Sequence, residues 1–500
     1  MLFAALVFAL AVVLLLVPFR TNIDASGSAD LSDGSDIKPR QPLLDAEDWF
    51  LTEEEITESR GGIPREGMAV YSTGNKVTSY TVSDEFFNAV YDDLSSTKEG
   101  DRVFTGIVER GGSVNILAWA NIGVGYTPYI LKARDAINSI PASSINGAKG
   151  ALSSHHQKNM VIAVNSSKDE RAQPVAYVGG IDLANDRWDT IYHNATAIRD
   201  EGHITFREKG WMDGHIRIHG PAAKDVATNF LDRWNSDYLP CQGLNDDLLD
   251  FKNPKYDHLP PLDYASSNTT ASFGKQSVQI HYKEFAPRGE TSLFQAHIKA
   301  IKNAKNFIYI EDQYFVLVPE MLDAIMEVMP NIQRLIVIAN EETGPFTNAG
   351  YIKYLYQMVE PIRSKYPNKL KLYTTKADRK IYIHSKIMII DDVFLTIGSA
   401  NWNRRSMTSD SELNADVVDT DTVKSPDGVI VGKIPRDFRI RKFVEMTGLS
   451  YEKLDAMTFI EAADQLPIAA DDESSILDYL EIEHHSYFFA ITDAIRKRQW

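Results

Sequence analysis

Apolar and polar residues alternate along most of the chain in two periods, one typical of strands and one typical of helices. Residues 114–120 (VNILAWA) and 334–340 (RLIVIAN) are short, continuous apolar runs, which predict buried strands. Residues 292–304 (SLFQAHIKAIKNA) carry apolar side chains at helical spacing, and the apolar segment 306–315 (NFIYIEDQYF) follows them. Strands that alternate with helices in this way predict an α/β fold.

The N-terminal end has a different pattern from the body of the chain. Residues 1–19 contain no charged side chain, which predicts a signal peptide or a signal-anchor over residues 1–20. Either one predicts a protein of the secretory pathway, secreted or held at a membrane. Residues 21–45 are rich in Ser, Asp and Gly and predict a disordered spacer. Three Asn-x-Ser/Thr triplets are consistent with a glycoprotein: Asn165, Asn194 and Asn268.

The body contains a degenerate internal repeat. His156 and Lys158 are followed by an apolar segment and then by Gly-Gly-Ile-Asp. His384 and Lys386 are followed by an apolar segment and then by Gly-Ser-Ala-Asn. The two histidines are 384 − 156 = 228 positions apart, which is the size of one lobe and too long for a solenoid repeat.

This repeat predicts two similar α/β lobes packed about a pseudo-twofold axis, with one active site shared between them. The first catalytic lobe is predicted over residues 46–270 and the second over residues 271–500.

Each His-x-Lys pair suggests a particular chemistry. Residues two apart in a strand point to the same face, so each pair places an imidazole beside an ammonium group. Two facing pairs suit phosphoryl transfer, because the lysines neutralise phosphate oxygens while one histidine attacks phosphorus and the other handles the proton of the leaving alcohol. Such a site requires no cofactor and no metal, and neither is predicted. A single His-x-Lys pair would more often belong to a solvated strand face, but two pairs in matching contexts favour a functional site.

Composition narrows the range of partners. With 52 Lys and Arg against 69 Asp and Glu, the net charge is −17, so the chain lacks the basic character of a general nucleic-acid binder. The single cysteine excludes intrachain disulfides and cysteine-based zinc sites.

At these motifs the sequence resembles the phospholipase D family, in its eukaryotic lipid-cleaving branch. The second half matches the His-x-Lys-x4-Asp signature in full, with His384, Lys386 and Asp391, followed by a Gly-Ser-x-Asn that ends at Asn401. The segments SSHHQK, GGIDLANDRWDT and IYIEDQYF extend the resemblance over roughly residues 100–450.

The resemblance implies a role for each site residue. His156 would be the nucleophile and His384 the general acid and base. The phosphate would be held by Lys158, Lys386 and Asn401. A carboxylate downstream of each motif would orient the histidine of that motif, and the matching positions are Asp213 and Glu412. Asp391 is counted with these residues as part of the signature.

One position departs from the family pattern. The residue five positions after Lys158 is Ala163, where the signature has Asp. The resemblance implies a phospholipase D that hydrolyses the distal phosphodiester of glycerophospholipids at a membrane surface, with water or an alcohol as acceptor. No nucleic-acid or protein partner is predicted. Two alternatives remain open: a nuclease or other phosphodiesterase of the same superfamily, and a catalytically impaired lipid-binding relative.

Overall fold

A computed structural model of the 500-residue chain describes most of its length. The described residues are 28–97, 101–103, 113–121, 143–150, 156–163, 174–203, 210–235, 241–242, 259–262, 274–282, 290–341, 348–408 and 410–482. The predicted signal segment and two of the three sequons, Asn165 and Asn268, lie outside these residues.

The described residues form strands and helices in alternation. The strands are β1 (Ser72–Tyr80), β2 (Arg102–Val103), β3 (Ser113–Asn121), β4 (Ser143–Gly150), β5 (Asn159–Ala163), β6 (Val175–Gly179), β7 (Gly210–Met212), β8 (His215–His219), β9 (Cys241–Gln242), β10 (Gln276–Tyr282), β11 (Phe307–Asp312), β12 (Arg334–Ile338), β13 (Leu370–Thr375), β14 (Ile381–Ile383), β15 (Lys386–Ile390), β16 (Phe394–Gly398), β17 (Leu413–Asp419), β18 (Thr422–Lys424), β19 (Ile430–Gly432) and β20 (Leu477–Tyr479). The helices are α1 (Ala46–Trp49), α2 (Glu53–Ser59), α3 (Ser83–Ser95), α4 (Thr196–Glu201), α5 (Pro221–Trp234), α6 (Ser292–Lys302), α7 (Pro319–Val328), α8 (Asn348–Lys365), α9 (Arg404–Thr408), α10 (Lys433–Thr447), α11 (Tyr451–Asp455), α12 (Phe459–Ala463) and α13 (Gln465–Asp471).

One large sheet runs through both halves of the molecule. Its 16 strands lie in the order β20-β13-β12-β11-β15-β16-β17-β10-β1-β8-β6-β5-β2-β3-β4-β9. The order is the same when it is followed outwards from the central antiparallel pair β1 and β10, so that β8 corresponds to β17, β6 to β16, β5 to β15 and β2 to β11. The predicted α/β fold with two similar halves about a pseudo-twofold axis is confirmed.

Helices cover both faces of this sheet. On one face, α5 and α10 pack over the strands of both halves, and Val226 and Phe438 join β8 and β17 in a single apolar cluster. On the other face, each half has its own cluster, with α3 over the first half and α6 to α8 over the second. The helix predicted over 292–304 is α6, and the strands predicted around 114–120 and 334–340 are β3 and β12, of which β12 is buried.

The predicted spacer is ordered over residues 28–45. The backbone N–H of Arg40 donates to Asn306 Oδ1 (2.7 Å), and its guanidinium donates to the carbonyl of Lys305 (2.8 Å). The side-chain amide of Gln41 donates to the carbonyl of Ile430 and accepts from its N–H, both at 2.9 Å. The prediction of disorder is wrong here, because these polar groups find partners on the second half.

The boundary predicted at residue 46 also differs from the structure. Trp49 and Phe50 are buried in the apolar cluster of the second half, and the Trp49 ring stacks on Phe394 with ring centroids 5.3 Å apart. Helices α1 and α2 therefore pack on the second half, although they precede the first in sequence. Among the residues described, no helix has the length and apolar character needed to cross a membrane.

Candidate active site

The second histidine is positioned by a strand pair that joins the two halves. Strand β14, from the second half, pairs in parallel with β7, from the first, with Ile383 opposite Met212. The next residue, His384, donates its backbone N–H to the carbonyl of Met212 (2.8 Å). This register brings His384 Nδ1 to 2.8 Å from Asp213 Oδ2.

The first histidine is positioned in the same way by the opposite half. The backbone N–H of His156 donates to the carbonyl of Ser411 (2.9 Å), and His156 Nδ1 lies 3.0 Å from both carboxylate oxygens of Glu412. The hydroxyl of Ser399 donates to Glu412 Oε2 (2.6 Å), which fixes the carboxylate.

The orienting carboxylates therefore cross between the halves. Asp213 lies downstream of the first motif but contacts His384, and Glu412 lies downstream of the second motif but contacts His156. The sequence-based expectation that each carboxylate orients the histidine of its own motif is wrong. The physical reason is that the halves face each other, so that each strand end meets the motif of the other half.

The two lysines repeat one contact. Lys158 Nζ donates to the carbonyl of His156 (2.9 Å), and Lys386 Nζ donates to the carbonyl of His384. Lys386 also donates to Gln313 Oε1 (3.2 Å). Each ammonium thus contacts the backbone of the histidine two positions before it. The prediction that each pair lies on one strand is wrong, because His156 and Lys158 precede β5 and His384 lies between β14 and β15.

Two glycines leave space for neighbouring side chains of the site. The N–H of Gly180 donates to the carbonyl of Gly214 (2.9 Å), and a side chain at Gly180 would overlap Asp213 Oδ1. A side chain at Gly398 would likewise overlap Asn414 Oδ1. Only glycine leaves room for the strands that carry the carboxylates.

The residues that follow these turns differ in charge. Asn401 is buried, and its Oδ1 has no hydrogen-bond partner in the part of the chain that the structure describes. The corresponding residue of the first half is Asp182, whose Oδ1 lies 3.5 Å from Lys158 Nζ.

Asp391 lies outside this cluster, at the far end of β15. Its carboxylate accepts the backbone N–H groups of Lys305 (2.6 Å), Asn306 (2.8 Å) and Phe307 (2.8 Å). The structure therefore places Asp391 away from the histidines with which it was predicted, and its three hydrogen bonds fix the start of β11.

The charge states of the first pair follow from its environment. Burial raises the pKa of Glu412, but His156, Lys158 and Ser399 outweigh it and hold this pKa below its usual range. An ionised carboxylate only accepts hydrogen bonds, so His156 Nδ1 must carry the proton. In the neutral form of the ring, the lone pair available for attack is then on the other nitrogen, Nε2.

The second pair is more deeply buried. Burial and the neighbouring Lys386 hold the pKa of His384 well below its usual range, while burial raises the pKa of Asp213 to about 7. Burial also lowers the pKa of Lys386 to about 8. Without substrate, His384 is therefore neutral, and it needs a nearby negative charge to become an acid.

A buried ion network lies behind the second motif and was not predicted. Glu311 accepts from the hydroxyl of Ser385, the residue between His384 and Lys386. Lys442, fully buried on α10, contacts Glu311 (2.9 Å) and Glu445 (2.5 Å).

The same network continues into the first half. His193 Nε2 lies 3.0 Å from Glu445 Oε1, and His193 Nδ1 lies 2.6 Å from Asp189 Oδ2. Burial lowers the pKa of His193, but these two carboxylates outweigh it and raise that pKa to about 9. Glu311 lies within the segment IYIEDQYF and Asp189 within GGIDLANDRWDT. Both segments carry the family resemblance, and this was the signal in the sequence that could have pointed to the network.

The described residues contain no group of three or more His, Cys, Asp or Glu side chains that could hold a metal ion. The positive charges observed at the site are those of lysine and arginine side chains.

Fold and site together define a pseudo-symmetric α/β protein with one composite centre of two histidines and two lysines. A family model described as Phospholipase D matches residues 90–324, and a model described as Cardiolipin synthase, PLD-like domain, matches residues 297–427. The two models together match residues 90–427, and over these residues the chain belongs to the phospholipase D superfamily.

Curated relatives carry the same family name. Phospholipase D alpha 1 of Nicotiana tabacum is 28% identical over 53% of this chain and 45% of its own length. Phospholipase D A of Dictyostelium discoideum is 26% identical over 75% of this chain and 33% of its own length. The matches thus span less than half the length of these relatives. Among solved structures, a phosphatidylserine synthase of Haemophilus influenzae has a TM-score of 0.47 at 13% identity, covering 69% of this chain and 82% of that one.

Proposed function

We propose that the protein is a phospholipase D, which hydrolyses the distal phosphodiester of glycerophospholipids such as phosphatidylcholine to phosphatidic acid and the head-group alcohol. The observation that carries this proposal is the crossed arrangement of two histidines, each hydrogen-bonded to a buried carboxylate from the opposite half and each beside a lysine. The lipid-cleaving relatives and the net charge of −17 support a lipid rather than a nucleic acid as substrate.

The first step forms a covalent intermediate. His156 Nε2 attacks phosphorus while the bond from phosphorus to the head-group oxygen breaks, and His384 as imidazolium gives its Nε2 proton to that oxygen. Lys158 and Lys386 neutralise the charge that builds up on the phosphoryl oxygens. The anionic phosphodiester itself favours the protonated form of His384, which opposes the lowering of its pKa by burial and Lys386.

The second step releases the lipid product. His384, now neutral, takes a proton from water, and the resulting hydroxide attacks phosphorus as the bond to His156 Nε2 breaks. The products are phosphatidic acid and free His156, with His384 protonated again. An alcohol in place of water gives a transphosphatidylated lipid by the same steps.

The test is choline release from phosphatidylcholine vesicles, with and without a primary alcohol. We expect the wild type to release choline and to form the phosphatidyl-alcohol, and we expect His156→Ala to do neither. His203→Asn is the matched control, because His203 is an exposed histidine of the first half. Hydrolysis of single-stranded DNA but not of the vesicles would contradict the proposal and identify a nuclease, and no turnover of either would identify an impaired relative.

We also propose, from the sequence alone, that the chain enters the secretory pathway. Among the three sequons, the described one is Asn194, which is exposed. Expression in a eukaryotic host should give protein whose mass falls on treatment with a glycosidase that removes N-linked glycans. An unchanged mass and a purely cytosolic location would contradict this proposal.

A further inference from the structure

The first half-site carries a carboxylate where the second carries an amide. Asp182 and Asn401 occupy matching positions after the Gly-Gly and Gly-Ser turns, at the ends of β6 and β16. The two halves otherwise present the same histidine, lysine and carboxylate. A bound anion would therefore experience this difference in charge between Asp182 and Asn401.

Asp182 is held at the site by two cations. Its Oδ1 lies 3.5 Å from Lys158 Nζ, and its Oδ2 accepts from Arg187 Nε (3.2 Å). About a third of the Asp182 side chain is exposed (32%), so this carboxylate is in contact with solvent. It therefore offsets the charge of the lysine that the proposed mechanism assigns to the phosphate.

Arg187 is fixed in this position by other contacts. Its guanidinium carbon lies 3.8 Å from the centre of the Trp211 ring, and it forms a second ion pair with Asp186. The Trp211 ring in turn meets His384 edge to face, with ring centroids 5.6 Å apart. Arg187 is thus linked to His384 through the Trp211 ring. Burial alone would raise the pKa of Asp182, but Lys158, His384, Arg187 and His156 outweigh it and hold this pKa below its usual range.

We infer that Asp182 sets the charge of ligand that the site accepts, favouring the monoanion of a phosphodiester over the dianion of a phosphomonoester. The reason is that a fixed carboxylate repels each ligand charge, so a dianion experiences about twice the repulsion of a monoanion at the same distance. The inference rests on the proposed function in placing the ligand phosphate beside Lys158.

This selectivity would matter for release of the product. A phosphodiester keeps one negative charge at any pH near neutrality, whereas a phosphomonoester loses a second proton near pH 6 to 7. Hydrolysis therefore converts a ligand that Asp182 tolerates into one that it disfavours. The same carboxylate would limit inhibition by inorganic phosphate and by the phosphatidic acid that is formed.

The test measures binding rather than turnover. Calorimetric titration at pH 8 would compare dimethyl phosphate, a monoanion, with inorganic phosphate, a dianion at that pH. We expect Asp182→Asn to tighten the binding of inorganic phosphate at least tenfold more than it tightens the binding of dimethyl phosphate. Tenfold corresponds to about 1.4 kcal/mol.

Two further variants serve as controls. Asp182→Glu keeps the charge and should keep the wild-type ratio of the two dissociation constants. Asp186→Asn removes an equal charge from the same arginine without touching the Lys158 contact, and should change that ratio much less. Thermal unfolding of each variant establishes that it is folded.

Three results would overturn the inference: an unchanged ratio in Asp182→Asn, an equal change in Asp186→Asn, or no binding of either anion to folded Asp182→Asn. Because the readout is binding, its outcome is separate from that of the proposed function. A protein that discriminates between the anions through Asp182 but cleaves no phospholipid would keep this inference and refute the lipid substrate.

Discussion

The two half-sites contain the same parts but differ in how those parts are supported. The His384 side chain is 9% exposed and the His156 side chain 26%, although each is hydrogen-bonded to a carboxylate from the opposite half. The second motif is also backed by the buried contacts of Glu311 and Lys442. The more buried histidine is the one assigned to proton transfer, and the more open one is assigned to attack on phosphorus.

The clearest difference lies at the C-terminal ends of β5 and β15, the strands that carry the chain on from the two motifs. Ala163 is opposite Arg102 at the end of β5, at the position that corresponds to Asp391 at the end of β15. Asp391 gathers three backbone N–H groups at the start of β11, the strand that corresponds to β2 in the first half. The comparison teaches that Asp391 anchors a neighbouring strand, so its replacement by Ala163 in the first half removes no group that the proposed mechanism uses.

The largest effect should come from replacing the two histidines one at a time. His156→Ala should abolish the covalent intermediate. With a p-nitrophenyl phosphodiester, whose leaving group needs little protonation, His384→Ala should retain part of the first step and accumulate phosphohistidine, because water is no longer activated. Trapping the covalent intermediate with a labelled substrate, followed by peptide mapping, would show which histidine carries the label. Label on His384 would reverse the two roles, and label on neither would exclude a histidine intermediate.

A smaller loss should follow from changing the crossed carboxylates. Glu412→Gln and Asp213→Asn keep the shape of each pair but remove the charge that orients the ring, and each should lower kcat by about 10²- to 10⁴-fold. Because Glu412 contacts the nucleophile, its variant should lose activity towards the p-nitrophenyl substrate as well, whereas Asp213→Asn should be partly spared. The opposite assignment of the two losses would show that the crossed pairing does not operate in solution.

Removing the strand anchor should affect stability more than chemistry. Asp391→Ala leaves three backbone N–H groups without their acceptor and should lower the free energy of unfolding by about 3 kcal/mol. The kcat of the folded fraction should change by less than about threefold, since Asp391 touches no other site residue. Denaturant titration and kinetics on the same samples would measure both. A large loss of kcat in fully folded Asp391→Ala would return this residue to the catalytic group.

The smallest expected effect is the dependence of kcat/KM on pH. Because burial and Lys386 lower the pKa of His384, its protonated fraction in the free protein falls as pH rises through the neutral range. For a soluble phosphodiester with a poor leaving group, kcat/KM should therefore decrease, by up to tenfold per pH unit, between about pH 6 and 8. For the p-nitrophenyl substrate the decrease should be weaker. Equal profiles for the two substrates would mean that His384 is not the acid of the first step.

Much of this arrangement could be predicted from sequence, because it depends on short-range patterns. The two His-x-Lys motifs and the Gly-Gly and Gly-Ser turns that follow them indicated the two similar halves. The crossed carboxylates could not be predicted in this way. They depend on the register of β7 against β14, and on the N–H of His156 reaching the carbonyl of Ser411, contacts that join residues more than 160 positions apart.

Other features depend on tertiary structure in a similar way. The order of residues 28–45 comes from partners on the second half, which no local composition reveals. The role of Gln313 as a partner of Lys386 depends on β11 lying beside β15. Asp182 was visible in the sequence as part of the repeat, but its contact with Lys158 was not.

The crossed pairing has a consequence for the order in which the chain is made. Synthesis runs from the N-terminus, so His156 emerges from the ribosome 256 residues before its partner Glu412. Until that partner has been made and has folded against the first half, nothing fixes the His156 ring in its reactive orientation. The nascent chain would therefore be unable to hydrolyse its substrate during synthesis, and would become active only after Glu412 has reached His156.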